Sequence, residues 1–167
     1  MTKQEFLDAA TRAALASSRA SGFPAGITVA QAALESRWGR SQLSREAHNY
    51  FGIKAHGRHQ RVAYATYEFI RGRRVRVGAE FARYASMEEC FADRDRIIGV
   101  VGVYAEARDR RHDPEAFARA LAAHWATDPH YADKVLRVYR EHGLDSLDSP
   151  SPDHPIAQSP DSEKEQI

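Results

Sequence analysis

Apolar positions recur along the chain first at helical spacing, then in alternation, then at helical spacing again. Thr2 and Glu5 stand at capping-box spacing, and Phe6, Ala9, Ala10, Ala13 and Ala14 follow on one helical face until Gly22 and Pro24, which predicts a helix over about residues 3–20. A second helix is expected from near Thr28, burying Ala30, Ala33, Leu34 and Trp38, with Gly39 as its breaker and Glu35 beside the apolar face. A short helical piece over residues 41–46 leads into HNYFGIKA, where Asn49 and Gly52 suit turns around Tyr50 and Phe51. From Arg61 to Phe81 the period changes to two, in RVAYATYEF and RRVRVGAEF, with a glycine in the intervening IRGR, which predicts a β-hairpin.

Helical spacing then returns. Ser86 and Glu89 form a second capping box for a helix to about Gly99, and Asp113 with Pro114 opens one to His124. Asp128 with Pro129 repeats that arrangement for a last helix ending at Gly143. The expectation is an α+β fold of five or six helices with one small hairpin after the second, without internal repeats, and with a cleft between the helical body and the β lobe.

The chain has 167 residues, enough for one domain, and its 43% apolar and 28% charged composition is that of a globular protein. No apolar run reaches the roughly 18 residues a spanning helix needs, and MTKQEFLDAA turns polar too early for a signal peptide. Cys90 is alone, so no intramolecular disulfide is available and a buried structural thiol is expected. The formal net charge of +1 conceals a division: residues 145–167 hold six acidic side chains against Lys164, which leaves residues 1–144 basic. That Pro- and Ser-rich tail is too poor in apolar surface to offset its ordering entropy, so residues 1–144 are expected to form the domain and residues 145–167 a mobile tail.

Two carboxylates stand out, Glu35 at a helix end and Glu68 in the hairpin. Glycosidic bonds are commonly cleaved by such a pair, one group protonating the departing oxygen and the other activating water or stabilising the cationic sugar. Packing against Ala32 and Trp38 would raise the pKa of Glu35 as an acid requires. By residue type alone, a glutamate at a helix terminus serves equally as a solvated group or an ion-pair partner of Arg37 or Arg40, and Glu68 on a hairpin face needs no function. His56 and His59 in HGRH are the only close histidine pair, with no third ligand at metal spacing nearby, so no metal site is expected. Arg71, Arg73, Arg74 and Arg76 form a basic ribbon suited to phosphates or carboxylates, but no nucleic-acid module surrounds them.

The stretches GITVAQAALESRWGRSQLSREAHNYFGIKA, ATYEF, EFARYASMEECFADRDRII and WATDPHYADKVLRVYREHGL occur in this order over nearly all of residues 3–144. Together they resemble the glucosaminidase domains of glycoside hydrolase family 73, found in flagellar-rod peptidoglycan hydrolases and many autolysins. The resemblance implies a mainly helical, lysozyme-like fold whose hairpin flanks an active-site cleft. It gives Glu35 of ALES the role of general acid and Glu68 of TYE that of second carboxylate, a role the substrate's own N-acetyl group can replace. It places Asn49, Phe51, Trp125 and Tyr131 on the glycan, with Trp125 standing where tyrosine is usual before ATD, so that a stacking surface is kept and a phenol hydroxyl lost.

The implied activity is endo-β-N-acetylglucosaminidase cleavage of peptidoglycan after N-acetylglucosamine, with no cofactor. Alternatives are a muramidase or lytic transglycosylase on the same fold, a non-catalytic wall-binding module, and a nucleic-acid binder. The expected partner is the glycan strand, without nucleic acid or membrane insertion. A chain made in the cytoplasm without a signal peptide would reach the periplasm or wall by phage-type release through a holin, by a secretion machine or by another non-classical route.

Overall fold

The computed structural model describes residues 1–149, apart from the side chains of residues 66–70, 74, 76 and 77. Its elements are α1 (Lys3–Ser21), α2 (Ala25–Ser36), α3 (Gln42–Ala47), β1 (Gln60–Ile70), β2 (Arg73–Arg83), α4 (Met87–Val100), a 3-10 turn (Gly102–Tyr104), α5 (Ala105–Asp109), α6 (Pro114–Trp125), α7 (Tyr131–Glu141) and a second 3-10 turn (Leu144–Leu147). This is the expected α+β architecture, mainly helical with a two-stranded antiparallel lobe. The piece from Gly102 to Asp109 has too few residues to show a period and lies outside the predicted helices.

Local caps explain most helix starts. At α1 the Thr2 hydroxyl accepts from the Glu5 amide (3.1 Å) and the Glu5 carboxylate from the Thr2 amide (2.7 Å). Ser86 accepts from the Glu89 amide (3.2 Å), but the Glu89 carboxylate reaches one residue further back than a capping box, to the Ala85 amide (2.6 Å). Asp113 caps α6 with Pro114 in its first turn. Asp128 instead accepts from the His130 amide (2.9 Å), and α7 starts only at Tyr131.

Helix α2 is the buried centre, with every residue from Ala25 to Ala33 buried. Its small side chains let α1 and α7 approach closely. It starts three residues before Thr28, on Pro24, which offers no side-chain cap. The cap comes from the other end of the chain: Asp148 accepts from the Gly26 amide (3.0 Å), and burial there pushes its carboxyl above the usual range against the pull of backbone amides. Asp145 to Ser149, assigned to the tail on composition, thus begin in a turn seated on α2, whereas residues 150–167 lie outside the described residues.

Gly26 is required by this contact. A Cβ there would overlap the Leu144 carbonyl oxygen and stand 2.7 Å from Tyr139 Cε2 and 2.8 Å from Asp148 Oδ2. Gly26→Ala is expected to lower stability by about 1–3 kcal/mol despite alanine's better helix propensity, read as a lower urea midpoint.

The hairpin turns through Arg71 and Gly72, both at positive φ (51° and 76°), as a two-residue turn compatible with strand twist requires. Its register pairs Glu68 with Val75 and Gln60 with Arg83. Cys90 is buried and its thiol pushed up to about 12 by burial, as suits a structural thiol.

Candidate active site

Helix α2 ends at Ser36, one residue past Glu35. The Ser36 hydroxyl donates to the Ala32 carbonyl (2.6 Å) and accepts from the Gly39 amide (2.8 Å), while Arg37, Trp38 and Gly39 all take positive φ. The chain turns sharply there, and Glu35 stands at the last turn of a rigid central helix. Trp38 therefore lies beyond the helix rather than on its buried face, with its ring edge-on to Phe6 (6.0 Å) and His142 (4.7 Å).

The groups that meet the Glu35 carboxyl are Tyr131 from α7 and Trp125 from the end of α6. The Tyr131 hydroxyl donates to Glu35 Oε1 (2.5 Å). Burial raises the Glu35 pKa above its ordinary value, and the Tyr131 hydrogen bond and the neighbouring Trp125 indole, which favour the anion, only partly oppose this. Among the described residues no cation forms an ion pair with Glu35, so the partnership with Arg37 or Arg40 that its helix-end position allowed is absent. Burial also pushes the Tyr131 phenol well upward, so it remains a neutral donor.

Behind Tyr131 lies a buried polar chain. The Gln31 amide nitrogen donates to the Tyr131 oxygen (3.1 Å), and Gln31 Oε1 accepts from Arg94 Nε (2.9 Å) and Nη2 (2.8 Å). Arg94 is fully buried; its Nη1 reaches Thr28 Oγ1 (2.9 Å) and Asp95 Oδ1 (2.6 Å). Neither Gln31 nor Arg94 stood out in the sequence, where one is a polar residue in an alanine run and the other part of a charged cluster.

Trp125 also lines a cavity of about 380 Å³ with Phe51, Ile53, Ile97, Val101 and Tyr104, and Lys54 and Arg96 add cationic groups and His56 an imidazole to its wall. Apolar faces flanked by polar groups suit a pyranose ring. Phe51 is only 3% exposed and packs on Phe91 (4.9 Å) and edge-on to Trp125 (6.4 Å), so it offers little more than an edge.

Asn49 departs from its expected contact with the glycan. It is 1% exposed, donates to the Ile53 and Ala82 carbonyls (2.9 Å each) and accepts from the Ile53 amide (3.0 Å). Those bonds satisfy backbone groups where the Phe51 loop meets the hairpin base, so Asn49 anchors the cleft wall from behind. Glu68 lies on β1, and its side chain is outside the described residues, as are those of Arg74 and Arg76 in the basic ribbon.

The fold supplies a neighbour that spacing concealed from the histidine pair: ligand atoms of His56, His59 and Asp93 lie within 4.8 Å of one another. His59 Nδ1 accepts from the His56 amide (3.3 Å), which leaves the hydrogen on Nε2, facing Asp93 (3.1 Å). Asp93 also accepts from the Tyr84 hydroxyl (2.8 Å) and from Arg96 (2.8 Å). These bonds tie the loop to α4. Burial pushes the Asp93 carboxyl up, but Tyr84 and Arg96 outweigh it and hold the group below its ordinary value.

A helical body, a two-stranded lobe and a half-buried glutamate, its pKa raised by burial, beside an aromatic cavity define the lysozyme-like class of glycoside hydrolase folds. Within that class the chain belongs to the glucosaminidase family, glycoside hydrolase family 73: the family model described as mannosyl-glycoprotein endo-beta-N-acetylglucosaminidase matches residues 11–144. The exo-glucosaminidase LytG of Bacillus subtilis is 33% identical over 132 residues, 75% of this chain and 46% of LytG. The peptidoglycan hydrolase FlgJ of Pseudomonas aeruginosa is 37% identical over 127 residues, 72% of this chain and 32% of that protein. The catalytic domain of the autolysin Auto from Listeria monocytogenes superposes with a TM-score of 0.79 at 27% identity, covering 87% of this chain and 86% of that domain. The chain thus spans less than half the length of these two sequence relatives.

Proposed function

We propose that the chain is a peptidoglycan hydrolase cleaving the glycan strand after N-acetylglucosamine. The observation that carries this reading is the Glu35 carboxyl, fixed at the end of α2, its pKa raised by burial, and hydrogen-bonded by Tyr131 next to the Trp125 cavity. The names of LytG, FlgJ and Auto support the substrate class.

In this reading the protonated Glu35 gives its hydrogen to the departing glycosidic oxygen as the bond breaks, and the sugar gains oxocarbenium character. Glu68 from the hairpin, or the substrate's N-acetyl oxygen, stabilises that cation or directs water to it. Trp125 and the edge of Phe51 hold the apolar face of a sugar ring, and Asn49 supports them through the loop. The chemistry uses no cofactor. The site of action is the cell wall, and the activity does not involve nucleic acid.

Mass spectrometry of borohydride-reduced fragments from digested peptidoglycan tests the reaction. Reduced N-acetylglucosamine ends are expected. Reduced N-acetylmuramic acid ends would reassign the chain as a muramidase, 1,6-anhydro ends as a lytic transglycosylase, and no products from several wall types would replace the enzyme by a wall-binding module.

A further inference from the structure

We propose that Gln31, held by Arg94, is a positioning residue that fixes which way the hydroxyl hydrogen of Tyr131 points and so leaves the acid hydrogen of Glu35 on Oε2. The proposal rests on Glu35 being the proton donor.

A guanidinium has five N–H donors and no acceptor, so the Gln31 atom facing Arg94 must be the amide oxygen. A flipped amide would set its NH2 against two guanidinium N–H groups that now find Oε1 at 2.9 and 2.8 Å. Arg94 cannot turn away: it is enclosed, its carbon lies 5.6 Å from the Phe51 ring and 5.9 Å from that of Phe117, and Nη1 is held by Thr28 and Asp95. The Thr28 hydroxyl gives its own hydrogen to the Pro24 carbonyl (2.9 Å), leaving lone pairs for Arg94.

With Oε1 committed, Gln31 Nε2 faces Tyr131, and an amide nitrogen can only donate. The Tyr131 oxygen therefore accepts, and its single hydrogen goes to Glu35 Oε1. Every bond from Arg94 to Glu35 runs in one direction, in both protonation states of Glu35. Oε1 is always an acceptor, and the transferable hydrogen is confined to Oε2.

Glu35 is the only charged residue of α2, and the other charged groups near the helix come from neighbouring segments. Among the elements packed on the helix, α7 brings Tyr131 to Glu35, α6 brings Trp125, and α4 brings Arg94 with Asp95, whose second oxygen is taken by Ser17 and Ser21. Tyr139 and Asp148 lie at the far end near Gly26, and Lys3 of α1 stands over Trp38. Arg37 and Arg40 follow Glu35 on its own segment and are exposed.

The test exchanges one group. Gln31→Glu replaces the NH2 by an oxygen, which keeps the ion-pairing atom for Arg94 but turns a donor toward Tyr131 into an acceptor that competes for its hydrogen. Glu35 then loses the Tyr131 donor and gains a nearby anion, so its titration, followed by carboxyl carbon-13 NMR, is expected to move up by about one pH unit or more. The basic limb of kcat/KM should move with it. Gln31→Met removes the donor without adding an acceptor, leaves Glu35 as the partner of Tyr131, and should shift that titration little.

An unmoved titration in a folded Gln31→Glu variant overturns the proposal, as does an equal shift in both variants. If Gln31→Glu does not fold, Tyr131→Phe takes its place: an upward shift identifies the Tyr131 hydrogen as the donor, and none overturns the proposal. The NMR readout needs no turnover, so an inactive wild type would remove Glu35's role as acid while still deciding the direction of the chain.

Discussion

Glu35→Gln is expected to lower turnover of peptidoglycan by about 10²–10⁴-fold, the contribution typical of a positioned general acid, while making the protein more stable at neutral pH. The two effects share one cause. Burial beside Tyr131 and Trp125 raises the folded-state pKa of Glu35, so the native protein binds more protons than the unfolded chain between the ordinary glutamate value and the raised one. Stability from this group is highest below the ordinary value and declines as pH rises through the raised value. Glutamine keeps the shape and can accept the Tyr131 hydrogen through its amide oxygen, but carries no charge to desolvate. The gain in melting temperature should therefore be present at pH 7 and fade as pH falls below the usual glutamate range. Thermal unfolding of both proteins across that range, beside initial rates on purified peptidoglycan, checks both halves. A variant that keeps wild-type rates would remove Glu35 from the reaction, and one losing activity without the pH-dependent gain would place the loss outside its ionisation.

The fold was legible wherever the signal was local. Thr2, Ser86 and Asp113 announce their helices because each caps an amide three residues ahead. The start of α2 was misplaced because its cap, Asp148, comes from 122 residues away. Asp128 looked like a cap and serves an isolated turn instead, since its partner is the His130 amide just before α7. Glu35, Tyr131 and Trp125 could be named from resemblance to a family, and the structure brings these three together. Asn49 has the same origin but faces inward, because its amide bridges the carbonyls of Ile53 and Ala82 at the hairpin base. Gln31 and Arg94 were missed on physical grounds: a glutamine in an alanine run and an arginine in DRDRII both resemble solvent-facing residues until packing brings them together across 63 positions.

Arg94→Leu is the substitution expected to damage stability most, by about 3–5 kcal/mol, as when one partner of a buried ion pair is removed. The loss strands the Asp95 carboxylate and Gln31 Oε1 in the core at once, and removes the Thr28 contact and the packing against Phe51 and Phe117. Against a typical domain stability of about 5–15 kcal/mol, this brings the protein near the limit of folding. Leucine fills much of the space, so the cost should come chiefly from polar groups left without partners. Adding Asp95→Asn to Arg94→Leu is then expected to restore part of the stability, because the stranded charge is gone and Ser17 and Ser21 still have an oxygen to meet. Urea unfolding of the wild type, both single variants and the double variant measures this coupling. A double variant no more stable than Arg94→Leu would shift the cost from the unpaired carboxylate to lost packing, and a cost below about 1 kcal/mol for Arg94→Leu alone would mean that the buried chain behind Tyr131 does not depend on its cation.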